Sequence, residues 1–219
     1  MGLILDGVLL LSCCESFCTE HIYITVFDNK TNLLKVFEVK KLFSKKFLAG
    51  AGQSPAGKEY KMAKLKIVKE GDETLRKVCR PVEKITPRVL QLLDDMVDTM
   101  RDAGGVGLAG PQVGVLRRIV VIEVEEGKVL ELINPKIIAF AGEQEGLEGC
   151  LSLPGKWGIV KRPMHVTVRA MNRKGEIVDY SGSELLARCF CHELDHLDGK
   201  LYPDVCERML TKEELEELE

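Results

Sequence analysis

The chain of 219 residues lacks any excess of basic residues, since 31 Lys and Arg stand against 34 Asp and Glu. Binding to nucleic acid or to an acidic membrane surface ordinarily draws on such an excess, so neither is indicated as the main partner. No apolar run is long enough to cross a bilayer, which predicts no membrane-spanning segment. No arginine precedes Arg76 and no basic residue precedes the apolar run 3–11, so neither a transit peptide nor a secretory signal is expected.

The eight cysteines include no Cys-x-x-Cys pair, so neither a zinc knuckle nor a thioredoxin-like motif is predicted. They are spread over a chain too long for a small disulfide scaffold. We therefore expect a reducing, cytoplasmic environment in which most of these thiols are small buried apolar groups.

A Gly/Ala/Pro/Ser-rich stretch, residues 49–57, is typical of a linker and divides the chain. Before it, two short strands are predicted at Ile22–Phe27 and Leu33–Val39. Residues 1–61 are either a small extra module or an upstream extension, and no chemistry is evident in them. Residues 62–219 are predicted to form the main domain.

In the main domain, apolar residues recur at helical spacing over Pro87–Ala103, with Thr86 as N-cap and proline at the first helical position. A second helix is predicted over Glu184–Leu197, with Ser181 and Glu184 as a capping box and Gly199 after its end. Strands are predicted between the two helices, at Arg118–Val124, Val129–Ile133, Ile137–Phe140 and His165–Met171. This order indicates an α+β fold in which antiparallel strands pack around one central helix.

The strongest chemical signal lies on that second helix, in His192-Glu193-Leu194-Asp195-His196. Residues four apart share a helix face, so the two imidazoles can converge on one metal ion. The carboxylate of Glu193 stands beside the first histidine, where it can take a proton from water that the ion has made acidic. A chance pair of surface histidines is the plain alternative, but the chain holds only four histidines.

Two histidines leave a catalytic metal site one protein ligand short. A metzincin would place a third histidine where this chain has Tyr202, so that class is excluded. A thermolysin-like peptidase would use a late glutamate, and residues 213–219 offer several, although this run is more simply a solvated helix end. Cys150 could supply a thiolate, yet a lone cysteine is more often a buried apolar residue. The residues by themselves leave the third ligand open.

A glycine-rich loop, residues 105–112, precedes both of these segments. Its glycines permit close approach of the backbone, and its last residue, Gln112, carries an amide able to donate to a developing oxyanion. An ordinary turn would explain the glycines equally well.

Taken together and in this order, three segments resemble the signature motifs of peptide deformylases. They are the Gly-x-Gly-Leu-Ala-x-Pro-Gln loop at 105–112, Glu-Gly-Cys-Leu-Ser at 148–152 and His-Glu-x-Asp-His at 192–196. The resemblance runs over about residues 65–202 and does not reach residues 1–61.

The resemblance implies that Cys150, His192 and His196 bind one divalent metal ion and that Glu193 is the general acid and base. The family is known for using Fe²⁺, and Zn²⁺ is the alternative, because thiolate with two imidazoles suits both ions. Three further residues, Glu148, Arg162 and Asp195, resemble a charge network that holds the cysteine loop against the helix.

The remaining roles that the resemblance implies concern the substrate. Gln112 and the backbone N–H of Leu151 would polarise the formyl oxygen, and the backbone of Gly107 would align the peptide. We also expect an apolar pocket for a methionine side chain, lined by Val106, Leu185 and Cys189. The chain departs from many relatives at Cys191, where Gln is common, and at Trp157, near a position where some have a substrate-binding arginine.

The function implied is hydrolytic removal of the N-formyl group from N-formylmethionyl nascent peptides, with release of formate, in the cytoplasm and near the ribosome. Two rival interpretations stay open at this stage. One is a metallopeptidase of another clan that uses a late glutamate. The other is a non-catalytic metal-binding module, against which the intact Glu193 argues.

Overall fold

The computed structural model describes residues 64–216 and, as backbone strands, residues 9–10, 21–28 and 33–40. The chain divides into two compact units, Met1–Lys58 and Glu59–Glu219.

The described residues of the first unit form an antiparallel sheet of three strands in the order β1-β2-β3. These strands are β1 (Leu9–Leu10), β2 (His21–Asp28) and β3 (Leu33–Lys40). The two strands predicted in this part of the sequence lie within β2 and β3. The predicted linker, residues 49–57, lies outside the described residues.

The second unit combines helices with two antiparallel sheets, which confirms the predicted α+β class. One sheet has five strands in the order β10-β9-β6-β5-β4, and the other has three in the order β11-β8-β7. Along the chain the elements are α1 (Pro87–Asp102), β4 (Gly107–Ala109), β5 (Ile119–Ile122), β6 (Leu130–Ala141), β7 (Gln144–Cys150), β8 (Leu153–Arg162), β9 (His165–Met171), β10 (Ile177–Ser183), α2 (Glu184–Leu197), β11 (Arg208–Met209) and α3 (Lys212–Glu216).

The five-stranded sheet is covered by a helix on each face. Strand β5 shows this best, because all four of its residues are fully buried. Ile119 and Val121 pack in the cluster that contains α1, whereas Val120 and Ile122 pack in the cluster that contains α2. Side chains alternate between the faces of a strand, so an uninterrupted Ile-Val-Val-Ile run is what a strand buried on both faces requires.

Helix α1 forms as its sequence predicts. Thr86 caps it by accepting a hydrogen bond from the backbone N–H of Val89, and Pro87 occupies the first turn. Its apolar stripe is buried against β4, β5 and β6, and it includes Leu93, Met96 and Met100, none of which exposes any surface.

Helix α2 also has its predicted bounds, and ten of its 14 residues are buried. The predicted capping box is wrong, because Ser181 belongs to β10 and its hydroxyl is 2.9 Å from that of Thr167. Ser183 is the N-cap and makes no side-chain cap bond. Gly199 follows the helix at a positive φ of 74°, and a Cβ there would lie 2.5 Å from the carbonyl oxygen of Arg76. Only glycine fits this position.

The two short strands predicted at Val129–Ile133 and Ile137–Phe140 are one long strand, β6, with a register shift between Ile133 and Lys136 against β9. Asn134 adopts a positive φ of 53° at this point. Its side-chain amide accepts from the backbone N–H of Val82 and donates to the carbonyl of the same residue, both at 2.8 Å. The strand therefore continues through the irregularity because asparagine tolerates this conformation and finds partners there.

All five cysteines in the described part of the chain are free thiols, and Cys79, Cys189 and Cys191 are buried. This agrees with the expectation of buried thiols for these residues. Among the described residues, no helix combines the length and the apolar character needed to span a membrane.

Candidate metal centre and active site

Three side chains from two elements of the second unit converge on one point. Helix α2 presents His192 and His196 one turn apart, and β7 ends at Cys150. Their ligand atoms all lie within 4.8 Å of one another, and Cys150 Sγ is 3.3 Å from His196 Nε2. A tetrahedral ion with bonds of about 2.0–2.3 Å separates its ligand atoms by about 3.3–3.6 Å, so the arrangement fits a divalent ion.

The orientation of His192 supports the same assignment. Its Nδ1 lies 3.0 Å from Glu148 Oε2, which leaves Nε2 as the ring atom available to an ion. The two imidazole rings stand edge to face, 5.0 Å apart. Within the described residues, these three are the only group of His, Cys, Asp or Glu side chains close enough to hold a metal together.

The expected charge network around Glu148 is present in the structure. Arg162 donates to both carboxylate oxygens of Glu148, at 2.9 and 3.1 Å, and to Asp195 at 2.6 Å. Burial alone would raise the pKa of Glu148, but hydrogen bonds from His192 and Arg162 outweigh it and lower that pKa to about 2. Glu148 is thus a permanent carboxylate that orients the His192 ring.

Glu193 is buried next to this cluster, with 4% of its surface exposed. Burial raises its pKa to about 7; the charge of His192 lowers it, and that of Glu148 raises it further. A carboxyl with a pKa near neutrality can both take up and release a proton. A Cβ on Gly107 would lie 2.4 Å from Glu193 Oε1, so only glycine lets the loop backbone approach this carboxylate.

The pKa values of the two histidines shift in opposite directions. Burial lowers the pKa of His192, but hydrogen bonds with Cys150 and Glu148 outweigh it and raise the pKa to about 10. Burial and the neighbouring His192 hold the pKa of His196 well below its ordinary value. The His196 ring is therefore neutral at neutral pH, as a metal ligand must be, whereas His192 would have to release a proton when an ion binds.

Gln112 is held so that its amide nitrogen faces the cluster. Its Oε1 accepts the backbone N–H of Ala109 at 2.8 Å, while its Nε2 lies 3.4 Å from Cys150 Sγ and 3.3 Å from Ser152 Oγ. The neighbouring loop is fixed as well, because the carbonyl of Leu151 accepts a hydrogen bond from Lys69 Nζ at 2.7 Å. Both expected oxyanion donors thus adjoin Cys150, Gln112 by contact and Leu151 in sequence, on segments that hydrogen bonds hold in place.

A cavity of about 410 Å³ opens beside these groups. Residues 104–107, which lead into β4, and residues 147–151, at the end of β7, both line it, so the outer strands β4 and β7 of the two sheets border the cavity. The three residues expected to form the methionine pocket, Val106, Leu185 and Cys189, all line it. The structure thus brings them to the cavity, and their contact with a substrate stays a prediction.

The two departures from the deformylase pattern occupy different places. Cys191 is buried, 6% exposed, and burial raises the pKa of its thiol to about 11. Trp157 is 43% exposed and stands at the cavity, where its ring lies over Gly149. Cys191 is thus a core residue, whereas Trp157 lines the cavity.

The late glutamates of the rival peptidase interpretation do not join the cluster in the described part of the chain. Glu213 and Glu214 lie in α3, which has no buried residue, and Glu214 pairs with Arg208 at 2.7 Å.

Two residues of the site were not singled out from the sequence. Ser152 is fully buried, and its backbone N–H donates to Cys150 Sγ at 3.4 Å. Arg188 is 7% exposed and donates to Glu148 Oε1 at 3.1 Å. The one available signal for Arg188 was a charged residue four positions before His192, on the helix face that carries the motif.

The fold and the site define a metal-dependent hydrolase, in which a Cys/His/His cluster and a buried glutamate adjoin a substrate-sized cavity. The chain belongs to the polypeptide deformylase family, whose model matches residues 64–212. It is 57% identical over 141 residues to a peptide deformylase of Agathobacter rectalis, covering 64% of this chain and 89% of that protein. A second relative, from Acetivibrio thermocellus, is 55% identical over 150 residues, covering 68% and 88%.

Solved structures of the family agree with this assignment. A peptide deformylase from Legionella pneumophila matches with a TM-score of 0.64 at 41% identity, over 71% of this chain and 95% of that chain. One from Synechococcus elongatus in complex with actinonin also gives 0.64, at 39% identity, over 70% and 84%. The chain is therefore an enzyme that removes the N-formyl group from nascent peptides by metal-dependent hydrolysis.

Proposed function

We propose that Cys150, His192 and His196 hold the divalent ion of this deformylase and that Glu193 moves the proton in the reaction. The observation that carries the proposal is the convergence of three ligand atoms within 4.8 Å of one another, beside a carboxylate buried to 4% exposure. Such an ion supplies Lewis-acid chemistry, lowering the pKa of water and polarising a carbonyl oxygen.

Glu193 has the position and the pKa for proton transfer in both directions. In the reaction, water adds to the formyl carbon, the bond from that carbon to the amide nitrogen breaks, and formate leaves. Glu193 takes the proton that water gives up and passes it to the leaving amine nitrogen. Its pKa of about 7 suits both halves of this transfer, because a general acid and base works best near the operating pH.

Gln112 and Leu151 are the proposed donors to the formyl oxygen as it becomes an oxyanion. The Gln112 amide is oriented by the Ala109 N–H, so its Nε2 faces the cluster and needs no rearrangement during the reaction. The backbone N–H of Leu151 follows the ligand Cys150 directly, in a loop that Lys69 holds through the Leu151 carbonyl. Hydrogen-bond donors that are already held in position stabilise an oxyanion without having to reorganise during the reaction.

Gly107, Val106 and Leu185 are the proposed substrate-binding residues. The outer strands β4 and β7 border the cavity, and a peptide in extended conformation could bond to backbone along either. A related deformylase of Acinetobacter baumannii, 31% identical, has been solved with Met-Ala-Ser bound, which supports a peptide site here. Val106 and Leu185, 42% and 50% exposed, would offer the methionine side chain an apolar surface.

We further propose Fe²⁺ as the ion, with Zn²⁺ as the alternative. The donor set suits both ions, and the preference for iron rests on the resemblance to the family. Cytoplasmic activity near the ribosome follows from a substrate that is a nascent peptide, and the free thiols at the site are compatible with a reducing compartment.

Residues 62–219 are proposed as the catalytic domain, with residues 1–61 as an extension that has no part in the chemistry. The family model starts at residue 64, and all the proposed site residues lie between residues 106 and 196. Both observations support this division.

Formate release tests the proposal. The full chain, loaded with Fe²⁺ without oxygen, is given a short formyl-methionyl peptide, and the Glu193→Ala variant is compared with it. We expect turnover to fall by about 10²–10⁴-fold in the variant while the metal content is unchanged. Glu213→Ala, which removes an exposed carboxylate of α3, is the matched control and should retain full activity.

Two results would contradict the proposal. If the wild-type chain with a confirmed metal ion releases no formate, these residues do not carry deformylation. If Glu193→Ala turns over at the wild-type rate, the proton is moved by another group.

A further inference from the structure

A buried arginine links the helix of the histidines to the hairpin of the cysteine. Arg188 lies on α2 one turn before His192, lines the cavity and is 7% exposed. Its Nη1 donates to the carbonyl of Val160 at 3.0 Å and to that of Gly146 at 3.3 Å, and its Nη2 donates to Gln144 Oε1 at 3.4 Å. All three acceptors belong to strands β7 and β8.

The same guanidinium also binds the carboxylate that orients a proposed metal ligand. Arg188 Nη1 donates to Glu148 Oε1 at 3.1 Å, and Glu148 Oε2 lies 3.0 Å from His192 Nδ1. Arg188 and His192 are four residues apart on one helix face, so they hold one carboxylate of β7 between them. Arg162 of β8 also binds Glu148, and it reaches α2 through Asp195 at 2.6 Å. Arg188 differs in that it binds Glu148 from the helix itself, one turn before His192.

Independent support comes from the backbone opposite Arg188. A Cβ on Gly146 would lie 2.8 Å from Arg188 Nη2 and 3.2 Å from its Cζ. Any larger residue at this position would therefore displace the guanidinium. The missing side chain of Gly146 on β7 thus leaves the space that the guanidinium of Arg188 on α2 occupies.

We infer that Arg188 is a positioning residue, which fixes α2 against the β7–β8 hairpin so that Cys150 and the two histidines are assembled before the ion binds. Its guanidinium acts through Glu148 on His192. The arginine is also part of the cavity wall beside Leu185, so the group that fixes the metal ligands also shapes the pocket. This inference rests on the proposed metal site.

The test measures metal affinity as well as activity. Zn²⁺ is titrated into the metal-free full chain in competition with a coloured chelator, for wild type, Arg188→Met, Arg188→Lys and Gly146→Ala. Arg188→Met keeps the length of the side chain and removes the hydrogen bonds, while Gly146→Ala keeps the arginine and displaces it. Arg169→Met is the matched control, because that arginine is exposed on β9 and paired with Asp179 of the neighbouring strand β10.

We expect the dissociation constant for Zn²⁺ to rise about 10–100-fold in Arg188→Met, as for other partners that orient metal ligands. Gly146→Ala should shift it in the same direction, Arg188→Lys should restore part of the affinity, and Arg169→Met should leave it unchanged. The rate constant kcat should fall in the same order at saturating metal.

A lower thermal midpoint with a Zn²⁺ dissociation constant within about twofold of wild type would overturn the inference, because Arg188 would then only support the fold. If Arg188→Met does not fold, Gly146→Ala and Arg188→Lys decide in its place. Failure of the proposed function is recognised separately, since wild type would then release no formate while the effect of Arg188 on metal affinity could still be measured.

Discussion

The two long helices of the second unit cover opposite faces of one sheet, yet they differ in how many ionisable residues they bury. Helix α1 buries six of its 16 residues, and the polar ones among them are Asp95 and Thr99. Helix α2 buries ten of 14, among them Arg188, His192 and Glu193. Helix α1 is thus an ordinary amphipathic helix, whereas α2 directs its ionisable groups inward.

Burying ionisable groups costs free energy unless they are paired or bind a metal. For Arg188 and His192 the cost is offset by Glu148, which reaches the helix from the hairpin, whereas Glu193 Oε2 has no hydrogen-bond partner among the described residues. The comparison therefore separates a helix that holds the fold together from a helix that carries chemistry. Substitutions in the two helices should separate stability from activity.

The largest expected effect lies opposite α2, in Cys150→Ala. Activity should fall by at least about 10²-fold, because even the partners that merely orient metal ligands are worth about 10–100-fold. Bound metal, measured by elemental analysis after gel filtration, should fall with it. A variant that keeps both its metal and its activity would show that another residue, such as a glutamate, completes the site.

Leu93→Ala in α1 should have the reverse profile. Leu93 is fully buried between α1 and the sheet, so its truncation should lower the free energy of unfolding by about 2–5 kcal/mol. Urea unfolding followed by circular dichroism measures this change. Below the unfolding transition kcat should stay within about twofold of wild type, and a tenfold loss would mean that α1 contributes to the site.

The smallest expected effect is on stability, and it comes from substitutions at the N-caps of the two helices. Thr86→Ala removes the side-chain cap of α1 and should cost about 0.5–2 kcal/mol of stability. Ser183→Ala at the start of α2 removes no side-chain cap bond and should cost much less. Equal costs in urea unfolding would show that Ser183 does cap α2 in solution.

The parts of the fold that could be predicted are those in which apolar residues recur at a regular helical or strand spacing. Helix α1, helix α2 and strand β9 have their predicted bounds to within a residue. Strands β7 and β8 were missed, because the glycines and charged residues of β7 hide any alternation of apolar and polar positions. Strand β6 was divided in two, since Asn134 followed by Pro135 is normally a turn signal.

The candidate site was predictable where it is encoded in short motifs. His192 and His196 need only helical spacing, and Cys150 was proposed through the resemblance to a family. Ser152 and Arg188 could not be predicted, because each acts through contacts to residues 40 positions away. Such contacts depend on how the sheets and α2 pack. The position of Arg188 on the motif face of α2 was visible in the sequence, but its partner Glu148 was not.

The two strands that border the cavity, β4 and β7, are both edge strands of their sheets. Strands β4 and β7 each have a single strand partner among the described residues, so one backbone edge of each carries no ladder of hydrogen bonds. Strand β5, in contrast, is bonded on both sides. The candidate active site therefore lies between two strands that are each hydrogen-bonded to a strand on one side only, and such edges open locally at lower cost than a strand bonded on both sides. Extended backbone between the two edges would act as a temporary extra strand, so each substrate would complete the sheets for the time that it is bound.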